Sequence, residues 1–325
     1  MPQNFTTQLS HRAMATEFVV MLAAASSHTV DLTLQALELL DQIEADLSIY
    51  HAESEISLIN RDAARQPVAV SGPTFALLQK ALRWSKLTEG AFDITAGPLV
   101  QAWGFGKRRG QKPSPEVIQE ALQRVGYQHL RLDPHDRTVR FDRPGMSINL
   151  GAIGKGDALD RLAGQLLEGG ATDFLIHGGN SSVVAMGDHQ PGSGEGWAVG
   201  IAHPTKPSRR IAGIRLRDQA LATSGSGKQF FHHQGQRYGH VIDPRNGQPV
   251  GDLLSLTVIG ASAADSDACA TGWFVAGSEF VRSREKYDDA TASIMVAAGN
   301  RQDDVHITTT GSPRWVDGDA PDAST

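Results

Sequence analysis

The sequence predicts an α+β fold in which helices pack on a mixed or antiparallel sheet. In the first half, apolar residues such as Val30, Leu34 and Leu37 recur every three or four positions, the spacing of amphipathic helices. In the second half, short apolar runs separated by turn residues predict strands. No repeat or linker divides the 325 residues. We therefore expect one domain, or two closely packed subdomains, over residues 1–316 and a disordered tail over 317–325.

The individual elements are predicted from apolar periodicity and from the residues that cap or interrupt it. Thr29 caps the first helix, and a proline opens the second. The predicted helices cover residues 29–50, 73–88, 114–125, 157–167 and 263–276. The predicted strands cover residues 14–22, 129–132, 138–141, 174–177, 182–186, 197–201, 211–216, 219–223, 229–232, 238–242, 254–259 and 293–297.

Composition excludes several classes of protein. The net charge is −6 with acids and bases interspersed, so no basic face for nucleic acid is expected. The single cysteine, Cys269, excludes an internal disulfide framework. No apolar run approaches the ~20 residues that span a bilayer, and the first residues resemble neither a secretory leader nor a lipid-carrying segment. We therefore expect no membrane span and a cytoplasmic location.

Residues 220–247 concentrate chemistry that a hydrophobic core does not need. Thr223, Ser224 and the glycines after them form a loop whose amides could approach an anion, and Lys228 adds charge. His240 and Asp243 follow, just before an Asp-Pro-x-Asn-Gly turn. Taken alone, such a loop and hairpin are more often structural than functional.

Two glycine-rich turns are further candidates for ligand binding. Residues 148–157 join a strand to a helix, and Lys155 lies at the helix start, which suits a phosphate. This turn is not a Walker loop, and a plain strand-to-helix turn is an equal alternative. Gly179 follows a buried strand, where either a ligand or a second strand could approach closely.

Asp267 and Thr271 lie four residues apart on one predicted helix and therefore face the same way. A carboxylate and a hydroxyl suit a hard cation such as Mg²⁺. The structural alternative is that Asp267 caps the helix, although Asp265 could serve as the cap instead. Residues 90–106 are aromatic and punctuated by glycine, so they could flank a planar ring, as could Tyr50; a hydrophobic staple and turn is the simpler alternative.

In this order and spacing, segments over roughly residues 10–300 resemble the ApbE family of FAD:protein FMN transferases. No single segment is decisive, but their joint register is specific. The matching segments are Met14-Ala15-Thr16, Leu47-Ser48-Ile49-Tyr50, Ser54-Glu55-Ile56, Phe92-Asp93-Ile94-Thr95, Pro98-Leu99, Trp103-Gly104-Phe105-Gly106, Asn149 to Gly156, Gly178-Gly179-Asn180, Ala222-Thr223-Ser224-Gly225, His240-Val241-Ile242-Asp243-Pro244 and Asp267-Ala268-Cys269-Ala270-Thr271.

The resemblance implies an ApbE-like fold and a Mg²⁺-dependent transferase that moves FMN from FAD to a Thr or Ser of an acceptor protein and releases AMP. It implies a metal held by Asp267, Thr271 and the Ala152 carbonyl, with Lys155 at the FAD. The residues expected to bind the flavin or adenine, or to line that site, are Met14, Tyr50, Ala91, Phe92, Asp93, Asn149, Gly179, Thr223, Ser224 and His240. Ala15 stands where the family usually has Gly, and Asn149 stands where it usually has Asp.

Chemistry agrees with these roles. Attack on a pyrophosphate needs neutralised charge, which a Mg²⁺ and a lysine such as Lys155 provide. The acceptor hydroxyl is a weak nucleophile, so we expect His240 to act as general base, with Asp243 as its orienting partner.

Two other functions fit the same residues. An FAD pyrophosphatase would use water instead of the acceptor hydroxyl and would release AMP and FMN. A non-catalytic flavin-binding protein would bind FAD without metal-dependent release of AMP, and the pair of Asp267 and Thr271 argues against it.

Overall fold

The structure, a computed structural model, describes residues 6–105, 110–227, 230–283, 290–299 and 304–320. Its centre is an eight-stranded sheet in which every neighbouring pair of strands runs antiparallel. In order across the sheet, the strands are β1 (Thr7–Ala13), β2 (Thr16–Leu22), β6 (Phe174–Gly178), β7 (Ser182–Met186), β10 (Gln219–Gly225), β13 (Ser255–Gly260), β14 (Ala290–Ala298) and β15 (Val305–Gly311). The expected α+β class is confirmed.

Serine residues start most of the longer helices, because each serine oxygen accepts a hydrogen bond from a free backbone amide of the first turn. Ser26, not the expected Thr29, is the N-cap of the first helix, and the Thr29 hydroxyl accepts a hydrogen bond from the Ser26 backbone amide. Three short helices, at residues 55–62, 97–102 and 278–283, were not predicted. The helices are α1 (Ser27–Leu47), α2 (Glu55–Asp62), α3 (Gly72–Leu87), α4 (Gly97–Ala102), α5 (Pro115–Leu122), α6 (Gly154–Glu168), α7 (Ala263–Ala276) and α8 (Ser278–Ser283).

Each face of the large sheet is covered by a different layer. On one face, α6 and α7 pack against each other and against the central strands, burying residues such as Phe18, Ile176 and Leu256. On the opposite face lies the hairpin of β8 (Trp197–Ala202) and β9 (Arg210–Leu216), whose Trp197 and Ile214 are buried. A side chain on a central strand of this sheet therefore faces either the α6–α7 layer or the β8–β9 hairpin.

Two small sheets complete the described fold. The first contains β3 (Val68–Ala69), β5 (Thr138–Phe141) and β4 (Leu130–Asp133), of which β4 and β5 form the expected hairpin. The second is a two-stranded ribbon of β11 (Phe230–His233) and β12 (Gln236–Gly239), which packs beside Trp103. Among the described residues, no helix combines the length and apolar character that crossing a membrane requires.

Several expected boundaries were wrong. Residues 14–22 do not form one opening strand, because Met14 and Ala15, with φ of 52° and 57°, make the two-residue turn between β1 and β2. The expected strand 238–242 ends at Gly239, so His240 follows the strand.

At the C-terminal end of the described chain, the carboxylate of Asp319 forms an ion pair with Arg210, with 2.8 Å between Oδ2 and Nη2. Residues 321–325 of the expected tail lie outside the described residues, as do Gly106 and Lys228.

Candidate active site

The carboxylate of Asp267 is the centre of a polar cluster between α6 and α7. The residue is only 6% exposed. Its Oδ2 accepts a hydrogen bond from the Gly156 amide (2.8 Å), and its Oδ1 accepts one from the Ser182 hydroxyl (2.7 Å). The ammonium group of Lys155 lies 3.7 Å from Oδ2. A buried carboxylate is therefore held in one orientation by a helix amide, a hydroxyl and a cation.

The close approach of the two helices depends on a glycine. A β-carbon at Gly156 would lie 2.3 Å from the Ala263 carbonyl oxygen, so a larger residue would force α6 and α7 apart. Asp160 joins the same helices by accepting hydrogen bonds from the Ser262 hydroxyl (2.7 Å) and the Ala263 amide (2.7 Å). Burial raises the pKa of Asp160, and these hydrogen bonds act in the opposite direction.

The start of α7 is capped without Asp267. Ser262 is the N-cap, and Asp160 accepts from two amides of the first turn. Asp265 instead accepts hydrogen bonds from Trp84 (2.6 Å) and Lys80 (3.1 Å). Although burial opposes them, these contacts hold the pKa of Asp265 below its usual value. The structural alternative for Asp267, helix capping, is therefore wrong.

Thr271 lies one turn after Asp267 on α7, and its hydroxyl is 2.9 Å from the hydroxyl of Ser224 on β10. Adjacent residues of a strand point to opposite faces, so Thr223 cannot share this position. The hydroxyl of Thr223 lies 2.8 Å from that of Thr257, on the face covered by β8 and β9. The expectation that Thr223 binds the cofactor through its side chain is not supported, whereas Ser224 belongs to the cluster.

The turn before α6 brings backbone groups to the same place. The side-chain oxygen of Asn149 accepts a hydrogen bond from the Gly151 backbone amide (2.8 Å) and fixes the turn. The backbone amide of Asn149 donates to the Ile94 carbonyl (2.8 Å). In a regular helix the Gly156 amide would donate to the carbonyl of Ala152, four residues earlier. Here it donates to the Asp267 carboxylate instead. The role of the Ala152 carbonyl as a metal ligand stays a prediction.

Two hairpin turns lie beside the start of α6. The methyl group of Met14 would be 3.4 Å from a β-carbon at Gly154, so Met14 covers the first turn of the helix. Gly179, with φ of 60°, donates to the Glu17 carbonyl (3.1 Å) and leaves no room for a side chain beside Thr16. Met14 therefore lies at the start of α6, and Gly179 lies against the neighbouring β1–β2 hairpin.

Comparisons with known proteins agree with this geometry. The model of the ApbE family matches residues 14–293. The chain belongs to the ApbE family. A relative from Vibrio cholerae named FAD:protein FMN transferase is 33% identical over 246 residues, which are 74% of this chain and 72% of the relative. A relative of the same name from Treponema pallidum is 35% identical over 75% of this chain and 71% of the relative.

Solved structures of ApbE proteins share the fold. The flavin transferase ApbE of Vibrio cholerae superposes with a TM-score of 0.81 at 29% identity, covering 94% of this chain and 97% of that one. The ApbE protein of Thermotoga maritima gives a TM-score of 0.81 at 28% identity, covering 90% and 94%. The family expected from the sequence is thus confirmed, together with its fold.

Three residues that the ApbE resemblance assigned to FAD binding have side chains that are buried or bonded within the protein. Ala91 and Phe92 are 1% and 2% exposed, and Phe92 packs against Gly272 of α7. Asp93 accepts hydrogen bonds from the Thr95 hydroxyl (2.7 Å) and the Tyr127 amide (2.8 Å). Burial raises the pKa of Asp93, against these hydrogen bonds. We infer that this segment supports α7 rather than contacting a ligand through its side chains.

The remaining ApbE positions differ in their surroundings. Tyr50 lies in the turn after α1 and is 75% exposed, so its ring is accessible to a planar ligand. His240 is half-buried, with its ring 6.4 Å from that of Phe105 in an edge-on arrangement. Both carboxylate oxygens of Asp243 accept hydrogen bonds from the Arg245 side chain (2.9 and 2.8 Å). The observed contacts of Asp243 thus hold its own turn, and its role as partner of His240 stays a prediction.

Sequence reasoning missed two members of this ApbE site. Ser182 is fully buried and donates directly to Asp267. Gly156 contributes both its amide and its lack of a side chain. A polar residue at the first position of an otherwise apolar strand was the available signal for Ser182.

A metal at this site would need mixed oxygen ligands. Within the ranges that the structure describes, no three His, Cys, Asp or Glu side chains come together as a metal site. Asp267 and Thr271 instead offer a carboxylate and a hydroxyl one turn apart on α7, and the Ala152 carbonyl is the third ligand that the ApbE resemblance implies. These are hard ligands of the kind that Mg²⁺ accepts, with water and phosphate completing its shell. The donor set therefore fits Mg²⁺ better than a softer metal.

Proposed function

We propose that this protein transfers FMN from FAD to a Ser or Thr hydroxyl of an acceptor protein and releases AMP. The observation that carries the proposal is the buried Asp267, which bonds to the Gly156 amide, lies beside Lys155 and precedes Thr271 by one turn of α7. Membership in the ApbE family supports the transferase class. A helix start that suits an anion, next to oxygen atoms that suit a cation, supports the proposal.

We propose that Asp267, Thr271 and the Ala152 carbonyl hold Mg²⁺. When bound, Mg²⁺ would neutralise charge on the FAD pyrophosphate. Ser182 and the Gly156 amide keep the carboxylate of Asp267 in place, since they bond to different oxygens. Such supporting hydrogen bonds commonly affect metal affinity by ~10- to 100-fold.

The chain's own groups would bind and orient FAD. Lys155 and the positive end of the α6 dipole suit a phosphate anion, because the start of a helix carries partial positive charge. Met14 and the exposed ring of Tyr50 offer apolar and aromatic surface to the flavin or adenine rings. Asn149 and Gly179 shape the turns around the same place.

His240 is the proposed general base. It would take the proton from the acceptor hydroxyl as that oxygen forms a bond to the FMN phosphorus and the bond from this phosphorus to the AMP oxygen breaks. Such proton transfer is typically worth ~10²–10⁴ in rate. Asp243 would act at a distance, by holding the turn that follows His240.

The test incubates the purified protein with FAD, with and without Mg²⁺, and with acceptor domains that include one labelled by the Vibrio cholerae relative. AMP release is measured by chromatography, and covalent flavin on the acceptor by in-gel fluorescence and mass spectrometry of the labelled peptide. Flavin on a Ser or Thr together with AMP supports transfer. AMP and free FMN without labelling would favour the pyrophosphatase, and bound FAD without AMP would contradict both reactions.

His240→Gln separates binding from transfer. We expect this variant to bind FAD with wild-type affinity and to label the acceptor at least ~100-fold more slowly. Labelling at the wild-type rate would contradict the assignment of the general base. We expect the reaction in the cytoplasm, and fractionation of cells that express the native protein would test that location.

A further inference from the structure

The β11–β12 ribbon has one face buried against the protein and one face exposed. Phe231 and Tyr238 stack with ring centres 5.4 Å apart on the buried face, next to Trp103. The antiparallel register places Phe230, His232 and Arg237 on the other face. We call these three residues the outer face of the ribbon.

The outer face forms an ordered aromatic and cationic surface. Phe230 is 44% exposed, although it is a large apolar residue. The guanidinium of Arg237 lies 4.1 Å from the centre of the Phe230 ring. The ring of His232, which is exposed, lies edge-on to the Phe230 ring, with 5.4 Å between the ring centres. Arg237 itself is half-buried, and an exposed aromatic ring held against an arginine is typical of residues that dominate protein–protein interfaces.

This surface is tied directly to the active site. Arg237 donates a hydrogen bond to the Ser226 carbonyl (2.7 Å), and Ser226 follows Ser224 by two residues. A β-carbon at Gly239 would lie 3.0 Å from the Ser226 side chain, so the ribbon rests on this loop. The same strand β12 ends at Gly239, immediately before His240. A partner on the outer face would thus lie beside the proposed general base.

Charge indicates which partner fits. The chain as a whole carries −6, yet the 24 residues from 219 to 242 contain no Asp or Glu, and they include Arg237, His232, His233 and His240. A locally basic surface on an acidic protein attracts acidic segments and repels basic ones.

From this, we propose that the outer face of the ribbon docks an acidic segment of the acceptor protein, adjacent to the Ser or Thr that receives FMN. This inference rests on the proposed transferase function and adds the chemical class of the acceptor segment. Arg237 and His232 pair with acceptor carboxylates, and Phe230 contacts apolar groups between them. FAD binding and cleavage to water do not involve this face.

The experiment uses three synthetic 12-residue peptides with one threonine, identical except that the flanking residues are Asp, Asn or Lys. Flavin labelling of each peptide is followed with the wild-type protein and with His232→Glu and Phe230→Ala. His135→Glu is the matched control for charge, because His135 lies in the distant β4–β5 turn with its side chain 91% exposed. Leu34→Ala is the control for Phe230, since Leu34 is 48% exposed on α1.

We expect the wild type to label the Asp peptide with a KM about tenfold below that of the Asn peptide, and to label the Lys peptide poorly. His232→Glu should raise the KM for the Asp peptide about tenfold and reverse the preference, and Phe230→Ala should raise all three values. The controls should match the wild type. Rising salt should weaken the wild-type preference, because exposed charges are screened.

Release of AMP from FAD without any peptide separates this proposal from the proposed function. If the wild type labels an acceptor domain but labels the three peptides equally or labels none of them, or if His232→Glu leaves labelling unchanged, the docking proposal is wrong. If the variants change the oligomeric state on gel filtration instead of the KM, the outer face is a self-association surface and the proposal is likewise wrong. If the wild type binds FAD but never cleaves it, the proposed function itself fails.

Discussion

Replacing Gly156 by alanine should damage the site through one methyl group. The added β-carbon would lie 2.3 Å from the Ala263 carbonyl oxygen and 2.6 Å from the Ala264 Cα, both of them backbone atoms of α7. Ordinary contacts begin near 3.4 Å, so the helices must separate by about 1.1 Å. Overpacking of this kind costs ~1–3 kcal/mol, more than the ~1 kcal/mol by which alanine favours a helix over glycine.

The same movement should impair activity, because Gly156 also bonds to Asp267. A displacement of ~1 Å at a reacting site can cost ~100-fold in rate. We therefore expect Gly156→Ala to lower the melting temperature and to reduce Mg²⁺-dependent AMP release by about that factor.

Gly164 supplies the matched control, since it lies on the same helix and a β-carbon there meets nothing within 4 Å. Gly164→Ala should stabilise the protein by ~0.5–1 kcal/mol and leave activity unchanged. Thermal unfolding and AMP release of both variants form the assay. If Gly156→Ala stabilised the protein as Gly164→Ala does, with full activity, the proposed close crossing of α6 and α7 would be refuted.

Three further predictions concern single contacts. Ser182→Ala should weaken Mg²⁺ activation ~10- to 100-fold by freeing one oxygen of Asp267, and unchanged Mg²⁺ titration curves would contradict this role. Thr223→Val should cost ~1 kcal/mol of stability and keep activity, because the Thr223 hydroxyl faces Thr257. Ser224→Ala should lower activity, because the Ser224 hydroxyl contacts Thr271. Equal losses of activity in the two variants would contradict the assignment of faces. Burial raises the pKa of Asp157 to about 6, further raised by Asp160 and opposed by Arg161 and Lys80. The folded state therefore binds the extra proton, and stability falls as pH rises from about 4 to about 6. Asp157→Asn should accordingly be more stable than the wild type at pH ~7.5, by on the order of 1–3 kcal/mol, and equal to it near pH ~4, as measured by thermal unfolding; a constant difference across pH would contradict the shift.

The sequence was sufficient for those elements whose signals are local. Apolar periodicity and serine or proline at helix starts located α1, α3, α5 and α7 to within a few residues. Alternation and turn residues located the β4–β5 hairpin and most strands of the sheet. The turn at Met14 was missed because Met and Ala rarely adopt positive φ, so neither residue signals a turn.

The site depended on information that spacing along the chain does not contain. The pairing of Asp267 and Thr271 on one helix face followed from helical geometry. The opposite orientations of Thr223 and Ser224 depend on which face of β10 packs against α7, and this is fixed only by tertiary packing. The hydrogen bond from Ser182 to Asp267 joins residues 85 positions apart in the sequence, so only the fold reveals it.

The most direct test of the proposed site is Mg²⁺-dependent release of AMP from FAD by the wild type and by Asp267→Asn, with FAD binding measured separately by fluorescence quenching. We expect both proteins to bind FAD and only the wild type to release AMP when Mg²⁺ is added. Asn keeps the shape of the side chain but removes the charge that a cation requires. Mg²⁺-dependent release by Asp267→Asn at the wild-type rate would contradict the assignment of Asp267 as the metal-binding carboxylate.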